Sequence, residues 1–81
     1  MQDKQLLERI ELNPDILAGK PIIRGTRLSV QFILNLMGHG ETTDSILAEY
    51  SYLTRQDIQA CILFANRVLA DNSFVPLAQA A

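Results

Sequence analysis

The fold is organised around one basic, turn-forming stretch, Gly19-Lys20-Pro21-Ile22-Ile23-Arg24-Gly25-Thr26-Arg27. It carries three of the chain's seven basic residues and is the only place where glycine, proline and positive charge coincide. Pro21 fixes its own φ and favours extended backbone before it, while the two isoleucines that follow are β-branched and favour a strand. Gly25 permits a left-handed backbone. The stretch therefore predicts a short strand, a tight turn and a second short strand through Arg27 and Leu28.

A helix is predicted immediately after this stretch. Ser29 is a good N-cap in front of an apolar run. Apolar residues then recur with helical spacing at Val30, Ile33, Leu34 and Met37. We expect this first helix to end at Gly38-His39-Gly40, where either glycine can take the left-handed position that closes a helix.

Two further helices are predicted from their N-terminal caps. Thr42 or Thr43 caps a short helix that continues through Tyr50. Thr54 caps the third and longest helix, with Asp57 three positions later as an approximate capping box. The helical pattern of this third helix continues to about residue 70.

The residues before the basic stretch predict a small N-terminal element. Residues 3–9 can form one or two helical turns, and Ile10-Glu11-Leu12 alternates as a half-buried strand does. Asn13-Pro14-Asp15 is a turn sequence. Ile16, Leu17 and Ala18 are expected to contact the core.

Length and composition predict one domain over residues 1–81. Its parts are an N-terminal β and turn element (1–28), a helical core (29–71) and a C-terminal tail (72–81). The predicted fold class is mainly α, a three-helix, homeodomain-like helix-turn-helix with a short N-terminal β element. The single cysteine, the lack of a signal pattern and the lack of a long apolar run predict a cytoplasmic protein.

The third helix has a polar side that suggests contact with DNA. On a helical wheel this side carries Arg55, Gln56, Gln59, Ala60, Leu63, Asn66 and Arg67, and no carboxylate. Arginine reads guanine edges, and glutamine or asparagine reads adenine edges, in the major groove. A short helix, a tight turn and a longer helix so decorated describe a helix-turn-helix. An ordinary solvated face explains the same pattern, and the net charge of −2 argues against a general polyanion binder.

The basic stretch also has two interpretations. As a structural β-hairpin, all of its residues are explained. Lys20, Arg24 and Arg27 can additionally contact DNA phosphates beside the third helix. It does not match the phosphate-binding loop pattern, because Pro21 follows the Gly-Lys pair.

Catalytic and metal-binding chemistry have no support in the sequence. His39 is the only histidine and lies between glycines, and Cys61 lies on the apolar side of the third helix as a small hydrophobe. Neither has a second cysteine or histidine nearby to form a metal site. We therefore predict a protein that is not an enzyme and has no cofactor.

Residues 10 to about 65 resemble the family known as domain of unknown function 433. The resemblance rests on these positions: Asn13-Pro14, Gly19-Lys20-Pro21, Ile23, Gly25-Thr26-Arg27, Gly40, Tyr50, Leu53-Thr54 and Asp57-Ile58. Ser51 departs from the pattern, which usually has proline after the tyrosine. The resemblance implies a homeodomain-like fold and, for many members, an antitoxin role beside a PIN-like ribonuclease toxin in VapBC-type pairs.

These observations lead to a hypothesis of function with one alternative. The chain is expected to be a homodimeric antitoxin that binds its own promoter DNA and a PIN-like toxin. The alternative is a protein-interaction module of the same shape that does not bind DNA. Phe74, Val75 and Leu77 follow the third helix with too few residues to form a core of their own. We expect them to bind the protein partner, and the alternative is that they dock on the same chain or on the second copy of the dimer.

Overall fold

The computed structural model describes residues 2–71, which form four helices, one two-stranded sheet and one 3-10 turn. In chain order these are α1 (Asp3–Leu7), β1 (Ile10–Leu12), the 3-10 turn (Leu17–Gly19), β2 (Pro21–Ile23), α2 (Val30–Gly38), α3 (Thr43–Glu49) and α4 (Arg55–Ala70). The predicted class, mainly helical with a short N-terminal β element, is confirmed. The three expected helices are α2, α3 and α4. None of the described helices is long and apolar enough to cross a bilayer.

The second strand predicted within the basic stretch is reduced to a single bridge, and the main partner of β2 lies earlier in the chain. β2 pairs with β1 in antiparallel register, with Ile10 opposite Ile23 and Leu12 opposite Pro21. Residues 27 and 28 form no strand, but the chain does return beside β2: Ile22 and Ser29 form an isolated antiparallel bridge, and the Ile23 N–H donates to the Leu28 carbonyl at 3.0 Å. The hydroxyl of Thr26 closes the turn between them. It donates to the Ile23 carbonyl at 2.7 Å and accepts from the Leu28 N–H at 3.0 Å.

The segment between the strands turns through a left-handed backbone. Leu17, Ala18 and Gly19 have φ angles of 50°, 56° and 80°. The Lys20 N–H closes this turn on the Leu17 carbonyl at 3.2 Å. Leu17 is consequently 43% exposed and Ala18 is also exposed, so the expectation that they contact the core is wrong.

The predicted caps start the three longer helices. The side-chain oxygens of Ser29, Thr42 and Thr54 each accept a backbone N–H from three residues later, at 2.9, 3.1 and 3.2 Å. These bonds satisfy donors that a helix leaves unpaired in its first turn. At the end of α2, Gly40 rather than Gly38 takes the left-handed backbone, with φ of 98°.

The core lies between α4 and the elements that contact it, which are α1, β1, α2 and α3. It contains Ile10, Ile23, Val30, Ile33, Ile46, Leu53, Ile58, Ala60 and Cys61. Ala60, predicted on the polar side of α4, is fully buried, whereas Ile62 and Leu69 on the predicted apolar side are 46% and 64% exposed. The helical-wheel prediction fails there because the elements packed around α4 cover Ala60 but not Ile62, and because residues 66–70 are all exposed.

Candidate nucleic-acid interface

Asp57, which carries the only carboxylate in the first turn of α4, points inward. Asp57 Oδ2 accepts the Thr54 backbone N–H at 2.9 Å, completing the reciprocal capping box with the Thr54 hydroxyl. Asp57 Oδ1 accepts from the Arg9 guanidinium at 3.1 Å. Asp57 is therefore 7% exposed and presents little negative charge to solvent.

The outward surface of this turn carries the three side chains predicted to read bases. Arg55, Gln56 and Gln59 are all exposed. They lie within the first five residues of α4, the part of a recognition helix that approaches base edges in helix-turn-helix proteins. Withdrawal of Asp57 leaves one cation and two amides on this surface, a set able to pair with guanine and adenine edges.

Arg55 has a partner that the sequence did not reveal. Its guanidinium donates to the carboxylate of Asp44, in the first turn of α3. Both side chains are largely exposed, so the pair contributes little to stability. The contact links the starts of α3 and α4 and places a negative charge beside the cation proposed to read DNA.

The three cations of the basic stretch occupy different surroundings. Arg24 is held by the N-terminal element: its Nε donates to the Glu8 carbonyl at 2.9 Å, and its guanidinium lies 3.9 Å from the Glu11 carboxylate. Lys20 and Arg27 are exposed and form no ion pair among residues 2–71. These two keep their charge available to an anionic partner.

The structure brings Arg24, but not Lys20, towards the start of α4. Arg24 shares a cavity of about 660 Å³ with Gln5, Glu8, Arg9 and Asp57, and Asp57 belongs to the first turn of α4. Lys20 instead precedes Pro21, which borders a groove formed with Phe64 and Leu69 in the second half of the helix. The predicted contacts are therefore spread along α4 rather than gathered at one point.

Arg9 is the residue that the sequence did not indicate. Besides Asp57, its guanidinium contacts the Thr54 hydroxyl at 3.5 Å, and its carbonyl accepts the Arg24 backbone N–H at 2.8 Å. It therefore joins the basic stretch to the start of α4. The only feature of the sequence that could have indicated such a partner was the predicted capping residue Asp57. Its carboxylate uses one oxygen for the cap and leaves the other free to accept a hydrogen bond.

His39 and Cys61 have structural surroundings. The His39 Nδ1 lies 2.7 Å from the Asn35 carbonyl in an exposed loop. Cys61 is fully buried, as predicted for a small hydrophobe. Burial raises the pKa of its thiol to about 12, and the negative charge of Asp57 adds to the increase. Within residues 2–71 no three histidine, cysteine or acidic residues are grouped to hold a metal ion.

Together these features define a small, mainly helical domain in which α3, a five-residue connection and α4 follow one another in helix-turn-helix order. Residues 10–65 match the family described as "Protein of unknown function (DUF433)". The chain belongs to this family.

A solved structure supports the fold independently. The chain is similar to a DUF433 member protein from Anabaena variabilis, with 25% sequence identity and a TM-score of 0.74. The similarity covers 84% of this chain and 67% of that one. No functionally curated protein matches this chain.

Proposed function

We propose that this protein is the DNA-binding antitoxin of a type II toxin–antitoxin pair, without catalytic activity of its own. The observation that carries DNA binding is the exposed start of α4, where Arg55, Gln56 and Gln59 face outward and Asp57 is withdrawn into the cap. The antitoxin role, with neutralisation of a PIN-like ribonuclease and repression of its own operon, rests on the family resemblance.

In this proposal base reading and phosphate contact are separate tasks. The start of α4 enters the major groove, where each bidentate base contact is worth about 1–3 kcal/mol of discrimination. Lys20, Arg24 and Arg27 contact phosphates, which adds affinity for any sequence. Lys20 and Arg27 suit this task because neither has an ion-pair partner within residues 2–71.

The test compares binding to the protein's own promoter with binding to scrambled DNA by fluorescence anisotropy. Gln59→Ala should reduce the preference for the promoter about fivefold or more. Lys20→Ala should weaken binding to both sequences alike and reduce the salt dependence by about one phosphate contact. Gln31→Ala, an exposed glutamine of α2, is the matched control and should change neither. Absence of binding even at low salt would exclude this function.

A second candidate is a protein-interaction module that does not bind DNA. It is favoured by the Asp44 carboxylate on Arg55 and by the excess of nine acidic over seven basic residues. Asp44→Asn separates the two functions, since it releases Arg55 and removes a charge that repels phosphate. DNA affinity should rise if α4 reads DNA and stay undetectable if it does not.

The toxin contact is proposed for Phe74, Val75 and Leu77, which lie outside the described residues. Buried aromatic side chains often dominate such interfaces, so Phe74 is the proposed anchor in the complex. Deletion of residues 72–81 should abolish binding of the PIN-like ribonuclease that this proposal assigns as the partner. Retained binding by the shortened chain would place the toxin contact elsewhere.

A further inference from the structure

An apolar groove runs between α2 and the second half of α4. Its lining consists of Pro21, Val30, Gln31, Leu34, Phe64, Ala65, Val68 and Leu69, and its volume is about 320 Å³. Gln31 is the only polar side chain in this lining, and none of the eight side chains carries a charge. Leu69 is 64% exposed although it lies on the groove.

A concave and mainly apolar groove of this size can accommodate an apolar segment. The described chain ends at Asp71, directly after the turn of α4 that carries Leu69. The ten residues that follow contain no charged side chain, and four of them form the apolar run Phe74-Val75-Pro76-Leu77. An uncharged groove and an uncharged apolar segment are thus neighbours in the chain.

We infer that, in the free protein, this groove binds Phe74, Val75 and Leu77 of the same molecule. The inference goes beyond DNA and toxin binding and depends on neither. It assigns a ligand to the apolar groove beside the end of α4.

The chain has the length and composition to make this contact. Asn72 and Ser73 favour turns, and Pro76 prevents simple continuation of α4. Three residues beyond Asp71 span at most about 10 Å. The lining from Leu69 back to Phe64 extends about 7.5 Å along the helix axis. A reversal over Asn72 and Ser73 would therefore bring Phe74 to Leu69 and carry Leu77 towards Phe64.

Tryptophan fluorescence tests this contact directly, because the chain has no tryptophan. In Phe74→Trp the indole is the sole tryptophan and reports its own surroundings. We expect blue-shifted emission and protection from acrylamide, relative to the same variant unfolded in urea. Adding Leu69→Asp should shift the emission to the red and remove the protection, since a carboxylate would enter the groove.

Ile62→Asp is the matched control, because Ile62 is an exposed apolar residue of the same helix that does not line the groove. It should leave the emission unchanged. A second measurement uses the natural side chain: deletion of residues 72–81 should lower the Tm by about 4–8 °C, whether or not Leu69→Asp folds well.

Four results would overturn the inference. The first is emission of the Phe74→Trp variant that matches the unfolded chain. The second is an equal red shift with Leu69→Asp and Ile62→Asp. The third is protection that disappears on dilution together with a dimer mass, which would assign the groove to the tail of a second copy. An unchanged Tm after deletion would likewise contradict it.

Discussion

At the scale of single residues, Asp57 joins the start of α4 to Arg9, which lies 48 positions earlier in the chain. One oxygen caps α4 and the other binds Arg9, so the carboxylate is satisfied from both directions. Charge-assisted hydrogen bonds of this kind are stronger than neutral ones. The same arrangement withdraws the charge of Asp57 itself from the surface where Arg55 lies, although the Asp44 carboxylate remains beside Arg55. Asp57 therefore serves both the stability of the fold and the proposed DNA-binding surface.

We predict that Asp57→Ala lowers the free energy of unfolding by about 2 kcal/mol, from the lost cap and the unpaired Arg9. Asp44→Ala is the matched control, because it removes an exposed carboxylate from an arginine pair and should cost less than about 1 kcal/mol. Urea unfolding of both variants measures the difference. Equal losses of unfolding free energy in the two variants would show that burial of the Arg9–Asp57 pair adds nothing to the stability of the protein.

Cys61 gives stability a dependence on alkaline pH. Burial raises the pKa of its thiol from 9.0 to about 12 in the folded protein, so the unfolded chain ionises first. The buried neutral thiol makes its full contribution to the free energy of unfolding below pH 9.0, and this contribution is lost as the pH rises towards about 12. We predict that the wild-type chain loses about 1.4 kcal/mol more per pH unit in this window than Cys61→Ala. Parallel pH profiles of the two proteins in urea would contradict the prediction.

At the scale of elements, the end of α2 shows how local hydrogen bonds terminate a helix. The Gly40 N–H donates to the Met37 carbonyl and the Glu41 N–H to the Leu36 carbonyl, both at 3.0 Å. This pair of bonds is the Schellman motif, which places a left-handed residue directly after the helix. Gly40 supplies that residue, with φ of 98°. The helix therefore ends where the chain must turn towards α3.

Two glycines near this end should respond oppositely to alanine. Gly40→Ala should cost about 1–2 kcal/mol through backbone strain alone, since a Cβ there would meet no atom within 4 Å. Gly38→Ala should increase the free energy of unfolding by at most about 1 kcal/mol, because Gly38 is helical and its surroundings are equally open. The urea midpoints of the two variants test this. A loss of stability in both variants would indicate that steric crowding by the added methyl group, rather than the φ angle of the glycine, determines the effect of the substitution.

At the scale of the whole molecule, four of the seven basic and four of the nine acidic side chains form ion pairs with one another among residues 2–71. Four arginines are paired with acids: Arg9 with Asp57, Arg24 with Glu11, Arg55 with Asp44 and Arg67 with Asp3. All but the first pair are at the surface and therefore weak. A DNA phosphate can replace such partners at low cost, which makes the proposed binding sensitive to salt.

We predict a homodimer in solution, because helix-turn-helix proteins commonly read two half-sites with two copies. Among the described residues β1 pairs only with β2, which leaves its second edge for a partner. Leu12, 64% exposed on β1, is the residue to change. Light scattering at micromolar concentration should give twice the 9.0 kDa chain mass, reduced by Leu12→Lys but not by Ile62→Asp. A monomer mass for the unchanged chain would disprove the dimer.

The sequence alone determined the features that depend on hydrogen bonds between near neighbours. Ser29, Thr42 and Thr54 each bind an N–H three residues away, so the starts of α2, α3 and α4 could be predicted. The exposure of Arg55 and Gln59 likewise followed from helical spacing. The family pattern identified the fold class from the same local signals.

Tertiary structure decided what depends on residues far apart in the chain. β2 forms its ladder with β1, whereas the nearer segment after Gly25 contributes only an isolated bridge between Ile22 and Ser29. Arg9 contacts Asp57 across 48 positions of the chain, and no local sequence pattern predicts this contact. Ala60 is buried and Ile62 exposed because neighbouring elements, not the apolar sector of the helix, choose the covered side of α4. Periodicity specifies a helix, but only packing specifies which of its residues meet a partner.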